Sequence, residues 1–205
     1  RTSVYFVQST DWGKTWTTVS GEPVTVPVTT RVPNCLVIDY ESQGKNCYIK
    51  DLNFDTRGNP VIIYVISDNH KTGPEGGKRE WFSLYWDGKE WINTKITEST
   101  HCYDSGSIWV EGDVWTVIAP TEPMPVGDPR YWGAGGEIVE WTSTDKGRNW
   151  TRTRQLTSNS ERNHTYVRRP LHANHDFWAY WADGNTDAFS KSCLYFCNKA
   201  GKVFR

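Results

Sequence analysis

The chain has 205 residues, with 12 Trp, 10 Tyr and 7 Phe against a single Met, and with 17 Gly and 10 Pro. Its 23 basic and 24 acidic residues nearly balance, which argues against a general nucleic-acid binder, since such proteins carry a basic excess or stripe. No run approaches the roughly 20 apolar residues of a membrane-spanning helix. Aromatic residues with frequent Gly and Pro favour short strands and turns, and no stretch has the apolar spacing of a helix.

The first 21 residues read "RTSVYFVQSTDWGKTWTTVSG", which predicts two strands joined by a turn. They contain neither an initiator Met nor a signal peptide. Because the chain starts as if in the middle of a strand, we expect an incomplete N-terminus, and the missing signal does not indicate a cytoplasmic protein.

The five cysteines, at positions 35, 47, 102, 193 and 197, match neither a CxxC pair nor a zinc pattern. Cys193 and Cys197 lie on one predicted strand, and at about 3.3 Å per residue they are too far apart for a disulfide. Free thiols are expected. A 35–47 bridge and a bridge from Cys102 to the C-terminal region are the alternatives.

The next region predicts four antiparallel strands in about fifty residues. An alternating strand precedes a tight turn at 55–59, and an apolar strand follows at 61–67. After a Gly-rich loop at 68–80 come "WFSLYW", the turn Asp87-Gly88 and "EWINTKI". This order of strand, turn, strand, long loop, strand, turn and strand defines one unit.

The same order recurs twice further along the chain. The second unit has its long loop at 120–136, and the third has its loop at 182–191. Four-stranded units with a period near 40–60 residues predict a β-propeller. We predict a single all-β domain over 1–205, with a half blade at 1–20 and blades at 48–100, 101–160 and 164–205. These three and a half blades would be part of a six- or seven-bladed propeller.

Two phrases 134 positions apart, "STDWGKTW" from Ser9 and "STDKGRNW" from Ser143, are nearly identical. They resemble the Asp-box (BNR) motif S-x-D-x-G-x-T-W, with Asn149 in the Thr position of the second copy. The Asp side chain can accept backbone N–H groups across a turn, and Gly tolerates positive φ. We therefore interpret both phrases as structural turns between third and fourth strands.

Alternating strand direction places the long loops and the blade starts at one end of the sheets, here called the loop rim, where binding residues usually lie. Along a strand, side chains alternate between faces. His164, Tyr166 and Arg168 are therefore expected to share one face, as are His101 and Tyr103. Together they offer acid–base groups and a cation. The alternative is that they are structural hydrogen-bonding anchors between blades.

Further candidates for substrate contact are Arg169, Glu137, Lys50, Asp51 and His70. Arg is well suited to planar carboxylates, although Arg169 could equally form a salt bridge between blades. His172 and His175 lie near a turn at the opposite end, and we expect them to be structural or surface residues.

Several segments, "KDLNFDTRGNP", "HCYDSG", "GGEI", "HTYVRRP" and "FWAYWADGN", resemble the BNR-repeat propeller proteins. Relatives of that family include ulvan lyases, rhamnose–glucuronate lyases and, more distantly, sialidases. The resemblance implies a secreted or periplasmic polysaccharide lyase that cleaves uronate-containing glycans by β-elimination. It implies His101 or His164 as base, Tyr103 or Tyr166 as acid, and Arg168 as the cation that neutralises the uronate.

Two other functions stay open. A sialidase-like or other glycoside hydrolase would use Tyr166, Glu137, Arg168 and Arg130, or two carboxylates among Asp51, Asp104 and Glu137. A non-catalytic carbohydrate-binding propeller would use aromatic residues such as Tyr131, Trp132, Trp178 and Trp181. The expected partner is a saccharide rather than nucleic acid or a membrane. No cofactor is expected, with a structural Ca²⁺ as an alternative that no ligand cluster demands.

Overall fold

The computed structural model describes residues 2–29, 33–185 and 188–205, and in that part of the chain all regular structure is β apart from a 3₁₀ turn at Pro74–Gly76. A two-stranded sheet comes first, made of β1 (Val4–Tyr5) and β2 (Leu36–Ile38). Blade I contains β3 (Asn46–Phe54), β4 (Pro60–Ser67), β5 (Arg79–Trp86) and β6 (Trp91–Ser99). Blade II contains β7 (Ser107–Glu111), β8 (Val114–Glu122), β9 (Glu137–Ser143) and β10 (Thr151–Gln155). Blade III contains β11 (Asn163–Arg168), β12 (Ala179–Gly184), β13 (Leu194–Cys197) and β14 (Val203–Phe204).

Each blade is a four-stranded antiparallel meander in which neighbours in sequence are neighbours in the sheet. The all-β fold of four-stranded propeller blades is therefore confirmed. The first strand of every blade, β3, β7 or β11, is an edge strand. The first sheet also extends beyond residue 20, where the predicted half blade ends, because β2 pairs with β1.

The blades pack face to face through apolar cores. Strand β4, "PVIIYVIS", is buried along its whole length, as expected for a strand covered on both faces. Between blades I and II, Ile63 and Trp81 pack with Trp115. Between blades II and III, Trp109 stacks on Trp178 with ring centroids 5.4 Å apart. These large aromatic rings explain the high Trp content of the sequence.

The edge strands of the three blades meet on one side of the assembly, here called the inner edge. The carboxylate of Asp51 on β3 accepts the backbone N–H of Ile108 on β7 over 3.0 Å. The N–H of Val167 on β11 donates to the carbonyl of Ser105, just before β7, over 3.1 Å. Side chains of the first strands can therefore meet across blade boundaries.

The predicted loop rim is present, since hydrogen bonds join the long loops to the blade starts. Gly136, at the end of the 120–136 loop, exchanges two backbone hydrogen bonds of 2.9 Å with His164. Arg79, at the end of the 68–80 loop, donates to the carbonyl of Thr100 over 3.1 Å.

The two related turns lie at the opposite end and have matching hydrogen bonds. Asp11 accepts the N–H of Thr15 over 2.9 Å, and Asp145 accepts the N–H of Asn149 over the same distance. The Asn149 amide donates to Asp145 over 2.6 Å, replacing the Thr hydroxyl of the first copy. Both carboxylates are occupied in holding their own turns.

All five cysteines are free thiols, and four of them are buried. Within the described residues, no helix is long and apolar enough to cross a membrane.

Candidate active site at the inner edge

Two β-bulges shape the inner edge. In β3, Ile49 is opposite Tyr64 and Asp51 is opposite Ile63, so Lys50 is an extra residue. In β11, Thr165 is opposite Ala182 and Arg168 is opposite Tyr180, so Tyr166 and Val167 together face one partner residue. Bulges re-aim side chains and are frequent beside active sites.

The bulge in β11 overturns the expectation that His164, Tyr166 and Arg168 share one face. Tyr166 has φ of 57°, a left-handed conformation that is uncommon for a bulky residue. As a result His164 is 3% exposed whereas Tyr166 is 52% exposed. Simple alternation fails here because the extra residue rotates the strand.

Arg168 and Lys50 are two cations of the inner edge, and they approach the rings of Tyr166 and Tyr48 respectively. The Arg168 guanidinium carbon lies 5.7 Å from the centroid of Tyr166. Lys50 donates from Nζ to the carbonyl of Cys102. Burial lowers the pKa of Lys50 to about 8, Asp104 opposes this shift, and the positive charge of Arg168 adds to it. Lys50 and Arg168 therefore contribute to one electrostatic environment although they belong to blades I and III.

His101 and Tyr103 complete this group from the start of blade II. Nδ1 of His101 accepts the backbone N–H of Tyr103 over 3.0 Å, so in the neutral ring the proton is on Nε2. Tyr103 is 46% exposed, and its ring centroid lies 5.4 Å from His101 and 6.3 Å from Tyr48. In this tautomer the lone pair of Nδ1 is already engaged and Nε2 is protonated, which disagrees with the expected role of His101 as base.

These contacts define the inner-edge cluster: Lys50, His101, Tyr103, Tyr166 and Arg168. The structure thus brings five of the predicted site residues together. Tyr48, which touches both Lys50 and Tyr103, was missed as a site residue. A Tyr stands at the start of all three blades, as Tyr48, Tyr103 and Tyr166, and that recurrence was the available signal.

Asp104 is a buried carboxylate next to the cluster. Its side chain is fully buried and accepts backbone N–H groups from Gly135, over 2.6 Å, and from His101, over 3.1 Å. Burial raises the pKa of Asp104, while the N–H of Gly135 and the charge of Lys50 act in the opposite direction. Asp104 joins the start of blade II to the 120–136 loop and lies close to Lys50.

His164 lies outside the cluster, in the contact between blades II and III. Its Nδ1 accepts the indole N–H of Trp181 over 3.0 Å, and its Nε2 is 2.9 Å from the hydroxyl of Ser160. Burial lowers its pKa, so the ring is neutral near pH 7. With both nitrogens engaged, His164 fits the structural alternative and disagrees with the expected role of base.

The other predicted contacts lie away from the cluster or point into the protein. Nε of Arg169 lies 3.9 Å from a carboxylate oxygen of Asp51. This contact matches the alternative that Arg169 forms a salt bridge between blades. Glu137 is buried and accepts the hydroxyls of Thr157, over 2.5 Å, and Ser160, over 2.9 Å. His70 is exposed on the loop after β4.

The geometry also bears on the two alternative functions. Asp51, Asp104 and Glu137 each accept hydrogen bonds from neighbouring blade segments, so each of these carboxylates has a structural contact in the fold. Trp178 and Trp181 are 5% and 1% exposed, so these two rings are not available for stacking on sugars.

The blades and the inner-edge cluster define a β-propeller with a candidate site at the convergence of its first strands. Residues 1–99 match the family described as BNR repeat-containing family member. No curated protein sequence matches the chain. The chain is thus similar to that family over its first 99 residues, and its relatives in fold are found among solved structures.

The structure is similar to that of an ulvan lyase of polysaccharide lyase family PL25, with a TM-score of 0.71, 17% identity and 97% of this chain covered. A second structure of such a lyase, bound to -[GlcA(1-4)Rha3S]-, gives a TM-score of 0.72 at 17% identity, again over 97% of this chain. The chain spans 43% of the length of each of these lyase chains. At this identity the likeness establishes the fold.

Proposed function

We propose that this protein is a carbohydrate-active propeller, and specifically a polysaccharide lyase that cleaves uronate-containing glycans by β-elimination at the inner-edge cluster. One observation carries the proposal: Arg168 adjoins the exposed phenol of Tyr166 on a bulged first strand, and a second cation, Lys50, lies within electrostatic range of Arg168. The likeness to an ulvan lyase bound to a glucuronate-containing saccharide supports the substrate class. Since such polysaccharides lie outside cells, we also propose that the protein is exported.

The cations act on the uronate carboxylate. Paired with Lys50 and Arg168, the carboxylate can take up the negative charge that develops when the proton leaves C5. Guanidinium binds carboxylates in a planar fork, so Arg168 also orients the sugar ring.

Tyr166 exchanges protons with the substrate. Its phenolate removes the C5 proton, the C–H electron pair forms the C4–C5 double bond, and the C4–O bond breaks. The phenol formed in the first step then protonates the departing oxygen, which regenerates the phenolate. General acid–base catalysis of this kind contributes about 10²–10⁴-fold in rate. Tyr166 is assigned both roles because Nδ1 of His101 already accepts the N–H of Tyr103 and both ring nitrogens of His164 are engaged.

The reaction class is tested by following two products from the same samples. The full-length protein is incubated with uronate-containing polysaccharides, and ultraviolet absorbance of the new conjugated double bond is recorded together with reducing ends. A lyase gives both signals in step. Reducing ends without absorbance would establish a hydrolase and overturn the proposal.

A second candidate function is saccharide binding without turnover. The exposed rings of Tyr103 and Tyr166, with Arg168 beside Tyr166, also suit an acidic sugar. Binding of uronate oligosaccharides by titration calorimetry, with neither absorbance nor new reducing ends, would favour this function over catalysis.

A further inference from the structure

A separate cavity of about 670 Å³ opens at the loop rim between blades II and III. Its walls come from the segment after β10, from the loop between β12 and β13, and from Arg205 at the end of β14. None of the five residues of the inner-edge cluster lines it. This cavity, here called the rim pocket, has the size of a site for a small molecule or a short saccharide.

The floor of the rim pocket is rigid and polar. Tyr195 stacks on Trp181 with an interplanar angle of 5°, and its ring centroid lies 4.8 Å from that of His164. The Tyr195 hydroxyl donates to Asp183 over 2.9 Å, and Asp183 also accepts the N–H of Cys193 over 2.6 Å. These bonds fix the floor before any ligand arrives, which reduces the entropy cost of binding.

The walls carry three cations, Arg162, Lys191 and Arg205. None of them belongs to an ion pair among the residues that the structure describes. The two lining carboxylates are Glu161, which is exposed, and Asp183, which is already bonded to the floor. Four aliphatic hydroxyls also line the pocket: Thr157, Ser158, Ser160 and Ser192. Cations beside hydroxyls suit a ligand that has both an anionic group and several hydroxyls.

The rim pocket continues into a neighbouring cavity of about 410 Å³, with which it shares Glu161 and Arg162. Asn163 and Arg130 line this second cavity. Arg162 therefore stands between two adjoining spaces, as would suit a ligand of more than one sugar unit.

We propose that the rim pocket is a second binding site for acidic saccharides, separate from the inner-edge cluster, with Arg162, Lys191 and Arg205 binding the anionic group. The choice of a saccharide rests on the proposed function. A second site on the same rim would hold a polymeric substrate near the inner edge and raise its effective concentration there. The anionic group can be a carboxylate or a sulfate ester.

The test measures binding independently of turnover. Titration calorimetry of Tyr166→Phe uses three short oligosaccharides: a uronate without sulfate, a sulfated saccharide without uronate, and a neutral one. We expect two molecules of the uronate per chain, weaker or no binding of the neutral saccharide, and one molecule per chain after Arg162→Ala plus Lys191→Ala. The sulfated saccharide tests whether the pocket also accepts a sulfate ester. If fewer sulfated molecules bind per chain after the double substitution, the lost binding site is the rim pocket.

Lys14→Ala is the matched control, because Lys14 is exposed on the turn at the opposite end. Equal melting temperatures of the variants establish that the double variant folds. In the otherwise unsubstituted protein, the double variant should raise KM for the polymer about tenfold or more while kcat and the rate on a short substrate stay unchanged. Stoichiometry that the double variant leaves unchanged would overturn the proposal. One saccharide per chain whose binding the double variant abolishes would instead contradict binding at the inner-edge cluster. Two sites without lyase activity would contradict the proposed function alone.

Discussion

The indole N–H of Trp181 donates to Nδ1 of His164 over 3.0 Å. This bond places the proton of the neutral imidazole on Nε2, which faces the hydroxyl of Ser160 at 2.9 Å. Ser160 in turn donates to Glu137 over 2.9 Å. The direction of the whole chain of hydrogen bonds is fixed by its first donor, so Ser160 is not activated as a nucleophile by His164.

His164→Ala should therefore act on stability. It leaves the buried N–H of Trp181 without an acceptor, which costs about 1–3 kcal/mol, and kcat per folded molecule should not change. Urea unfolding and active-site-normalised kinetics measure the two effects. His70→Ala, on an exposed loop, is the control expected to change neither. Loss of kcat with unchanged stability would mean that His164 takes part in the chemistry.

The charge of Lys50 sets an expected alkaline limit for activity. Burial lowers its pKa to about 8, so Lys50 is protonated below that pH and loses its charge above it. If Lys50 neutralises the uronate, kcat/KM of the unsubstituted protein should fall relative to that of Lys50→Arg, which stays charged, as pH rises through about 8. The ratio removes the pH dependence of the Tyr166 phenolate, which both proteins share. A pH–rate profile that is identical in both proteins would remove Lys50 from the site.

The turn carboxylate of Asp145 gives a prediction for acid stability. Hydrogen bonds, first from the Asn149 side chain and then from Ser143, lower its pKa from 3.8 to about 2. The folded state therefore favours the ionised form, and the stabilisation is complete above pH 3.8 and disappears as pH falls towards 2.

Asp145→Ala should lower the free energy of unfolding by about 1–2 kcal/mol at pH 7, and its difference from the unsubstituted protein should shrink below pH 4. Unfolding in urea across this range measures both. Asp176→Ala, at a side chain that is 91% exposed, should show no such convergence. If the difference in free energy of unfolding between Asp145→Ala and the unsubstituted protein is the same at pH 7 and pH 2.5, the charge of the carboxylate does not stabilise the turn.

The periodic features of the sequence were enough to predict the blades, the loop rim and the two related turns. The spacing of the strands and the residues of the turns are local properties that repeat along the chain. The pattern of each unit therefore supports the same prediction for the other units. Lys50, His101, Tyr103, Tyr166 and Arg168 could be selected because they stand at blade starts. That much of the candidate site follows from topology alone.

The orientation of these residues could not be predicted from alternation. Lys50 and Tyr166 lie in bulges, and an inserted residue is detected only when the partner strand's register is known. The burial of His164 depends on Trp181 of the next strand, a contact between residues 17 positions apart. The pairing of β2 with β1 joins segments separated by some thirty residues and has no local signal.

The most direct measurement is the rate at which Tyr166→Phe forms unsaturated product from a uronate-containing polysaccharide, compared with Tyr180→Phe. Tyr180 is half-buried beside Phe177, with ring centroids 5.9 Å apart, and is the matched control for loss of a phenolic hydroxyl. We predict that Tyr166→Phe lowers kcat by about 10²–10⁴-fold and that Tyr180→Phe leaves it unchanged. Equal rates for both variants and the unsubstituted protein would contradict catalysis at the inner-edge cluster.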